Sequence, residues 1–155
     1  MTILLQLKDV HTHIGQYHIL QGINIHIIEN EVNVLLGRNG AGKTTTLKTI
    51  MGLTPASKGS VHLHDQDITK KMTYEIANMG IGYVPEDQGI FGDLTVEENL
   101  RVAMRKEDEA TLEKQEYVLN LFPDLKTFWK KAGGKLSGGQ KQMLAMARAF
   151  VNDSE

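Results

Sequence analysis

The stretch GRNGAGKT, residues 37–44, decides the fold. It has the form G-x-x-x-x-G-K-T, in which small residues let backbone N–H groups close around phosphate oxygens. The apolar run VNVLLG, residues 32–37, precedes it, and the run KTTTLKTIMG, residues 43–52, follows it. This order predicts a strand buried on both faces, a glycine-rich loop and a helix. Such a loop at a helix N-terminus is typical of phosphate binding.

The residue types in this loop have separate roles in phosphate binding. Lys43 is expected to reach the β- and γ-phosphates, and the Thr44 hydroxyl to bind Mg²⁺. Three threonines open the helix although β-branched residues are mediocre helix formers. This choice indicates that the threonine side chains have a functional role at this point. The candidate phosphate-binding residues are Gly37, Arg38, Asn39, Gly40, Ala41, Gly42, Lys43, Thr44 and Thr45.

A second unusual helix start lies at LSGGQ, residues 136–140. Ser137 and Gln140 have the spacing of a capping box. A cap does not need two glycines in the first turn, where each costs up to about 1 kcal/mol relative to alanine. Gly138 and Gly139 therefore indicate that a ligand approaches the backbone closely, and a bare helix N-terminus beside a serine hydroxyl is a second candidate anion site.

The rest of the pattern predicts an α/β protein. Residues 3–15 and 17–28 have the composition of strands, residues 59–69 are strand-like, and the apolar run at 81–86 predicts a further strand. From Thr95 onward the pattern is helical and opens with a capping box of Thr95 and Glu98. Strands that alternate with helices, interrupted by a helix-rich block, predict an α/β core with an antiparallel N-terminal portion and a helical insertion.

Composition excludes several classes of function. The chain has 155 residues, a net charge of −2 and no cysteine. The charge does not favour a nucleic-acid partner, and without cysteine there is neither a disulfide framework nor a Cys-ligated metal. The histidine pairs His11/His13 and His62/His64 have a spacing that can hold a metal ion, but no third ligand is in view.

Together, GRNGAGKT and LSGGQKQMLAMARA (residues 136–149) resemble the ATP-binding subunits of ABC transporters. Residues 45–61 and 83–100 resemble, in particular, the importer ATPases for branched-chain amino acids. The resemblance implies a P-loop NTPase fold with a parallel core sheet, ATP and Mg as cofactors, and ATP hydrolysis that powers transport in the parent protein. It suggests three regions: residues 1–94 with the antiparallel strands and the P-loop core, 95–136 as a helical subdomain, and 137–155 as the signature helix.

The resemblance also implies partners. The family forms a head-to-tail dimer with a second ATPase subunit, in which Ser137, Gly138, Gly139 and Gln140 act in trans on ATP held by the other P-loop. Membrane permease subunits are expected to dock near residues 87–94, which places the protein at the cytoplasmic face of the membrane. No nucleic acid and no direct contact with the transported substrate are implied.

Two positions depart from the family pattern. Many members have Gln, which contacts Mg²⁺ and the attacking water, where this chain has Glu86, with Gln88 two residues on. We retain Glu86 as a candidate catalytic and Mg-binding residue, with a solvent-exposed turn residue as the alternative. The aromatic residue that stacks on adenine in the family corresponds to Ile14. Tyr17 lies close by and is the candidate for stacking, with a tyrosine at the strand surface as the alternative.

In the family, an apolar strand ending in Asp-Glu follows the helix that carries LSGGQ. The sequence ends before such a strand, so we expect the ATPase fold to be incomplete at the C-terminus. For residues 1–155 alone we therefore expect weak ATP binding at most, little hydrolysis, and self-association. Two alternative functions remain open: a nucleotide-binding module without hydrolysis, and an ABC ATPase that does not serve transport.

Overall fold

The computed structural model describes residues 2–152 and forms two compact units, Met1–Met79 and Gly80–Glu155. The first unit holds the strands and the phosphate-binding loop, and the second holds most of the helices. The regions 1–94, 95–136 and 137–155 were defined by motifs, and their boundaries stay predictions.

The first unit is built on an antiparallel hairpin, as its alternating sequence predicts. Strands β1 (Ile3–Ile14) and β2 (Tyr17–Ile28) are joined by a turn in which Gly15 takes a φ of 59°. Strand β3 (Lys58–Leu63) pairs with β1, and the short β4 (Gln66–Asp67) pairs with β3. The strand order is β2-β1-β3-β4, and every pairing is antiparallel.

Two helices complete the first unit. Helix α1 (Lys43–Ile50) follows the phosphate-binding loop, and α2 (Thr73–Asn78) follows β4. A buried hydrogen bond of 3.0 Å between the hydroxyls of Thr12 and Thr49 joins α1 to β1. The apolar core of this unit consists of Leu5, Leu7, Val10, Leu20, Ile50, Met51, Val61, Leu63, Ile68 and Ile76. The helix that bears the loop is thus fixed to the hairpin by packing and by a polar contact.

The second unit is helical and has its own core. Its helices are α3 (Val96–Ala103), α4 (Glu109–Leu121), α5 (Pro123–Thr127) and α6 (Gly138–Phe150). The predicted capping box forms at the start of α3, where the Thr95 hydroxyl accepts from the Glu98 N–H and the Glu98 carboxylate accepts from the Thr95 N–H. The apolar core consists of Val96, Leu100, Val118, Leu119, Leu125, Leu136, Leu144, Ala147 and Val151.

Two predicted strands are wrong. Residues 32–37 and 81–86 are irregular, although both runs are apolar. A strand needs neighbouring backbone to pair with its N–H and C=O groups, and within residues 2–152 no strand lies beside either run. Val32 and Leu36 are therefore 97% and 85% exposed. For the same reason, the parallel core sheet that the resemblance implies is not formed in the described part of the chain.

Among the described residues, no helix combines the length and the apolar character needed to cross a bilayer.

Candidate nucleotide-binding elements

The glycine-rich loop of the first unit has the backbone shape that its glycines predict. Gly40 and Gly42 take φ angles of 83° and 94°, in the left-handed region that favours glycine. The Ala41 N–H donates to the Arg38 carbonyl at 3.0 Å and closes a turn within the loop. The loop therefore folds back on itself just before α1 begins.

Lys43 directs its ammonium group back onto this loop. Its Nζ donates to the carbonyl oxygen of Gly37 at 2.7 Å and to that of Arg38 at 3.0 Å. Residues 31–41 are exposed, so the charge stays accessible from solvent. A cation held against the carbonyl groups of a glycine-rich loop can pair with an anion that reaches this loop.

The N-terminus of α1 leaves backbone donors free for a ligand. Gly42 is the N-cap residue and has no side chain to cap the helix. Among the described residues, none accepts a hydrogen bond from the N–H groups of Lys43, Thr44 or Thr45. These donors and the positive end of the helix suit a phosphate group, so the residues present fit the ligand that the sequence predicts.

The three threonines at the start of α1 differ in exposure. Thr45 and Thr46 are buried, and the Thr46 hydroxyl donates to the Gly42 carbonyl at 2.9 Å. Thr44 is exposed. Of the three hydroxyls, that of Thr44 is thus the one accessible to a metal ion bound with the phosphates.

The two residues considered for adenine stacking lie opposite each other at the end of the β1–β2 hairpin. Ile14 and Tyr17 are register partners, with exposed fractions of 47% and 66%. Ile19 and Leu20, two and three residues beyond Tyr17, pack against Gly42. Tyr17 is therefore on β2, the strand that touches the phosphate-binding loop, and Ile14 lies across from it on β1.

In the second unit, the LSGGQ segment forms the predicted cap of α6. The Gln140 N–H donates to the Ser137 hydroxyl at 3.2 Å, and the Ser137 N–H donates to the Gln140 side-chain oxygen at 3.0 Å. A Cβ added to Gly138 or to Gly139 would meet no atom within 4 Å. Packing within the chain therefore does not require these glycines, and both lie exposed at the start of a capped helix.

Glu86 lies at an exposed turn of the second unit. The Gln88 N–H donates to the Pro85 carbonyl at 3.0 Å and closes that turn. The Gln88 side chain donates to Gln142 Oε1 at 3.2 Å and lies 3.5 Å from the Gly138 carbonyl. Gln88 thus contacts the LSGGQ helix, and this contact was not predicted from the sequence.

The irregular run 81–86 borders a cleft in the second unit. The cleft has a volume of about 280 Å³ and separates residues 80–89 from the C-terminal half of α6. The Nε atom of Arg148 is buried there without a hydrogen-bond partner among the described residues, and burial lowers the pKa of this guanidinium. Within the same run, Gly82 lies against Ala149 of α6, where an added Cβ would be 3.1 Å from the Ala149 carbonyl oxygen.

Three histidines form an aromatic stack in the first unit. The His18 ring lies 4.2 Å from that of His13 and 5.1 Å from that of His11, between ring centroids. His11 Nδ1 and His18 Nε2 are 3.0 Å apart, which is a hydrogen bond when one nitrogen carries the proton. Desolvation, followed by the positive charges that His13 and His11 can carry, lowers the pKa of His18. Within residues 2–152, no three His, Asp or Glu side chains are placed to hold a metal ion.

Comparison with known proteins gives a consistent result. A family model described as ABC transporter matches residues 20–155. The chain is 40% identical over 137 residues to the probable branched-chain amino acid transport ATP-binding protein LivF of Archaeoglobus fulgidus, which covers 88% of this chain and 58% of that protein. It is 35% identical over 150 residues to the high-affinity branched-chain amino acid transport ATP-binding protein BraG of Pseudomonas aeruginosa, which covers 96% and 64%.

A solved structure shows the same likeness. The dimeric, post-hydrolysis state of an ATP-binding cassette bound to ADP and Pi superposes with a TM-score of 0.81 at 26% identity, over 97% of this chain and 70% of that one. The predicted fold class is confirmed by this likeness. The chain spans about three fifths of the length of the two transport proteins, and the matching relatives also include importers named for other substrates.

Proposed function

The chain belongs to the ABC transporter family, and from that premise we propose that it is the nucleotide-binding portion of an ATPase subunit that powers an importer of branched-chain amino acids. The substrate class is supported by the names of LivF and BraG. The one observation that carries the nucleotide-binding function is the geometry at α1. A left-handed glycine loop, an ammonium group and unpaired helix N–H donors converge there.

Each part of this loop has a defined task when ATP binds. The Lys43 ammonium would exchange the Gly37 and Arg38 carbonyls for phosphate oxygens, and the free N–H groups at the start of α1 would donate to the same phosphates. The exposed Thr44 hydroxyl would hold Mg²⁺, and Glu86 stays a separate candidate for the same ion. The ion would supply positive charge that neutralises the phosphates.

Titration calorimetry with ATP and with ADP tests this function. Lys43→Ala removes charge-assisted hydrogen bonds worth about 1.5–3 kcal/mol, so ATP binding weakens by roughly 10- to 100-fold. ADP binding weakens less, because Lys43 also reaches the γ-phosphate. Lys48→Ala, which alters an exposed lysine in the last turn of the same helix, is the matched control. Equal ATP affinities for the native chain and for Lys43→Ala would remove the assignment.

The LSGGQ helix start is proposed to bind ATP held by a second copy or a homologous subunit. Ser137, Gly138, Gly139 and Gln140 then act in trans in a head-to-tail dimer. Two features support the proposal: the open space around both glycines, and the N–H groups of Gly138 and Gly139, which have no acceptor among the described residues. The dimeric cassette bound to ADP and Pi shows that a relative of this fold does associate.

Transport coupling and location complete the proposal. Permease subunits are proposed to contact residues 87–94, and this contact would hold the protein at the cytoplasmic face of the membrane.

A nucleotide-binding module that does not hydrolyse ATP is the alternative function, and it is favoured by the position of Glu86 on an exposed turn. Phosphate release by the whole protein separates these functions, because the alternative predicts ATP binding without turnover even there. Co-purification with permeases rather than nucleic acid excludes an ABC ATPase outside transport.

A further inference from the structure

Asn99 is a polar residue inside the helical core of the second unit. Its exposed fraction is 0%, and all its hydrogen-bond partners are backbone groups. Its Oδ1 accepts from the Phe91 N–H at 2.9 Å. Its Nδ2 lies within hydrogen-bond distance of the carbonyl oxygens of Phe91, Leu94 and Thr95, at 2.9, 3.1 and 2.9 Å. One buried amide therefore holds the whole turn of chain from residue 91 to residue 95.

That turn is joined to the segment that precedes LSGGQ. The Gly133 N–H donates to the Leu94 carbonyl and the Gly134 N–H to the Gly92 carbonyl, both at 2.8 Å. Leu94 thus accepts from Gly133 and from Asn99 with the same oxygen. A Cβ on Gly133 would lie 2.9 Å from the Phe91 carbonyl oxygen and 3.3 Å from Asn99 Nδ2. The two backbone segments and the Asn99 side chain thus meet with no room for a side chain at Gly133.

The same turn reaches α6 from a second direction. Arg148 donates through Nη1 to the Gly89 carbonyl, and its guanidinium lies 5.0 Å from the centre of the Phe91 ring. Gln88 contacts Gln142 and the Gly138 carbonyl. Residues 88–95 therefore touch the LSGGQ helix along its length and also hold the chain just ahead of Ser137.

We infer that Asn99 is a positioning residue for the LSGGQ helix start: by locking residues 91–95 to residues 132–134, it sets where Ser137 and the first turn of α6 present their N–H groups. The role rests on the proposed function of that helix start in ATP binding. Asn99 does not touch the nucleotide; it acts through the backbone at residues 133 and 134. A partner that displaces residues 88–95 thereby moves the ATP-facing end of α6.

Hydrogen exchange of the full chain tests this inference without nucleotide. Asn99→Ala is expected to speed exchange of the Gly133, Gly134 and Gln140 amides by at least about ten-fold, as hydrogen bonds to a buried amide are lost. Val118→Ala, also at a fully buried position of the same core, is the control for a general loss of stability. Asn99→Asp, which keeps the acceptor for Phe91 but loses the donors, serves as a second variant if the alanine variant does not fold.

Two results would overturn the inference: unchanged exchange at these three amides in both Asn99 variants, or an equal increase in Val118→Ala at matched unfolding free energy. A second measurement reports on function. In the whole protein, Asn99→Asp is expected to weaken ATP-driven association while ATP affinity at the P-loop of the monomer stays unchanged. If the native protein does not bind ATP, the proposed function fails, and the exchange experiment still decides the positioning role.

Discussion

Gly42 lies directly against Leu20, the buried β2 residue beneath the phosphate-binding loop. A Cβ added to Gly42 would stand 2.9 Å from Leu20 Cδ2, and the φ of Gly42 is 94°. Both the backbone conformation and the contact therefore require glycine at this position. Gly40 shares the left-handed conformation, with a φ of 83°, but has open space around it.

Alanine substitutions at Gly40 and Gly42 distinguish the energetic cost of backbone strain from the cost of crowding. Gly40→Ala is expected to lower the free energy of unfolding by about 1–2 kcal/mol, the cost of a left-handed alanine. Gly42→Ala is expected to lose a further ~1–3 kcal/mol, because the buried Leu20 must shift. Urea denaturation of the three proteins measures both effects. Equal losses for the two variants would mean that the contact with Leu20 has no energetic weight.

Substitutions can show whether Tyr17 or Ile14 is the residue that contacts adenine, as proposed for this end of the hairpin. Loss of a base-stacking aromatic costs about 1–3 kcal/mol, so Tyr17→Ala is expected to weaken ATP and ADP binding to the same extent. Binding of inorganic triphosphate, which has no base, should stay unchanged. Ile14→Ala is the comparison, since Ile14 lies directly across the hairpin. If only Ile14→Ala weakens binding, Tyr17 is a surface residue and Ile14 is the base contact.

The role of Gly139 in trans is tested by its own substitution. Gly139→Asp places a carboxylate where a phosphate is proposed to bind, so ATP-driven dimerisation of the whole protein should be abolished. ATP affinity of the monomer should be nearly unchanged, and the helix should still fold, because the space is open and an acidic residue suits the first turn. Gly139→Ala adds bulk without charge, so comparing the two variants separates the effect of the carboxylate from the effect of covering the backbone. Light scattering that shows normal dimers of Gly139→Asp would contradict the assignment.

The proposed contact with a permease is tested at Phe91. This ring is exposed and lies beneath the Arg148 guanidinium. In a reconstituted transporter, Phe91→Ser is expected to reduce uptake while basal ATP hydrolysis is retained, since an apolar contact with the partner is lost. Tyr117→Ser, which alters an exposed aromatic on α4, is the control. Unchanged uptake would remove residues 87–94 from the proposed interface.

The histidine stack makes stability depend on pH. Because the pKa of His18 is lowered in the folded chain, the unfolded chain binds more protons below about pH 6.5, the ordinary histidine value. Stability is therefore expected to fall as the pH drops through 6.5 toward the folded-state pKa of His18. Hydrogen bonds from Lys58 and His11 lower the pKa of Asp9, which faces the stack. That carboxylate stays charged throughout this window, so its contribution is lost only at more acidic pH.

Unfolding measurements between pH 7.5 and 5.5 check this prediction. His18→Phe keeps an aromatic ring in the stack but removes the titrating group, so its stability should change less over this range. His26→Gln, at an exposed histidine on the same strand, should follow the native chain. Parallel pH profiles of the native and His18→Phe proteins would show that titration of His18 does not change the free energy of unfolding.

Local sequence predicted those features that local contacts determine. The β1–β2 hairpin and the caps at Thr95 and Ser137 formed as expected, because alternation and a four-residue pattern specify them. The strands at 32–37 and 81–86 did not form, since a strand depends on a neighbour that its own residues do not encode. The same limit explains His18, which joins His13 only through the register of the hairpin.

Some parts of the candidate sites could be predicted from the sequence and others could not. One motif predicts a glycine loop followed at once by Lys43, and the structure has that loop and has Lys43 as the first residue of α1. Phosphate binding by these residues stays a prediction. Asn99 had no such signal, because an asparagine between Glu98 and Leu100 resembles a surface helix residue. Its weak helix propensity is a hint that its side chain has backbone partners elsewhere. Arg148 and Gln142 likewise gained their roles only through tertiary contacts.

At positions 138 and 139, the residue that stabilises the helix most differs from the residue that the proposed phosphate binding requires. Neither glycine has a positive φ or a close neighbour, so alanine fits at both positions and favours the helix by up to about 1 kcal/mol each. Selection for heat resistance alone would therefore enrich alanine at these two positions. The resulting proteins would melt at higher temperature and lose the bare backbone that a phosphate needs, as expected for a site held below its stability optimum.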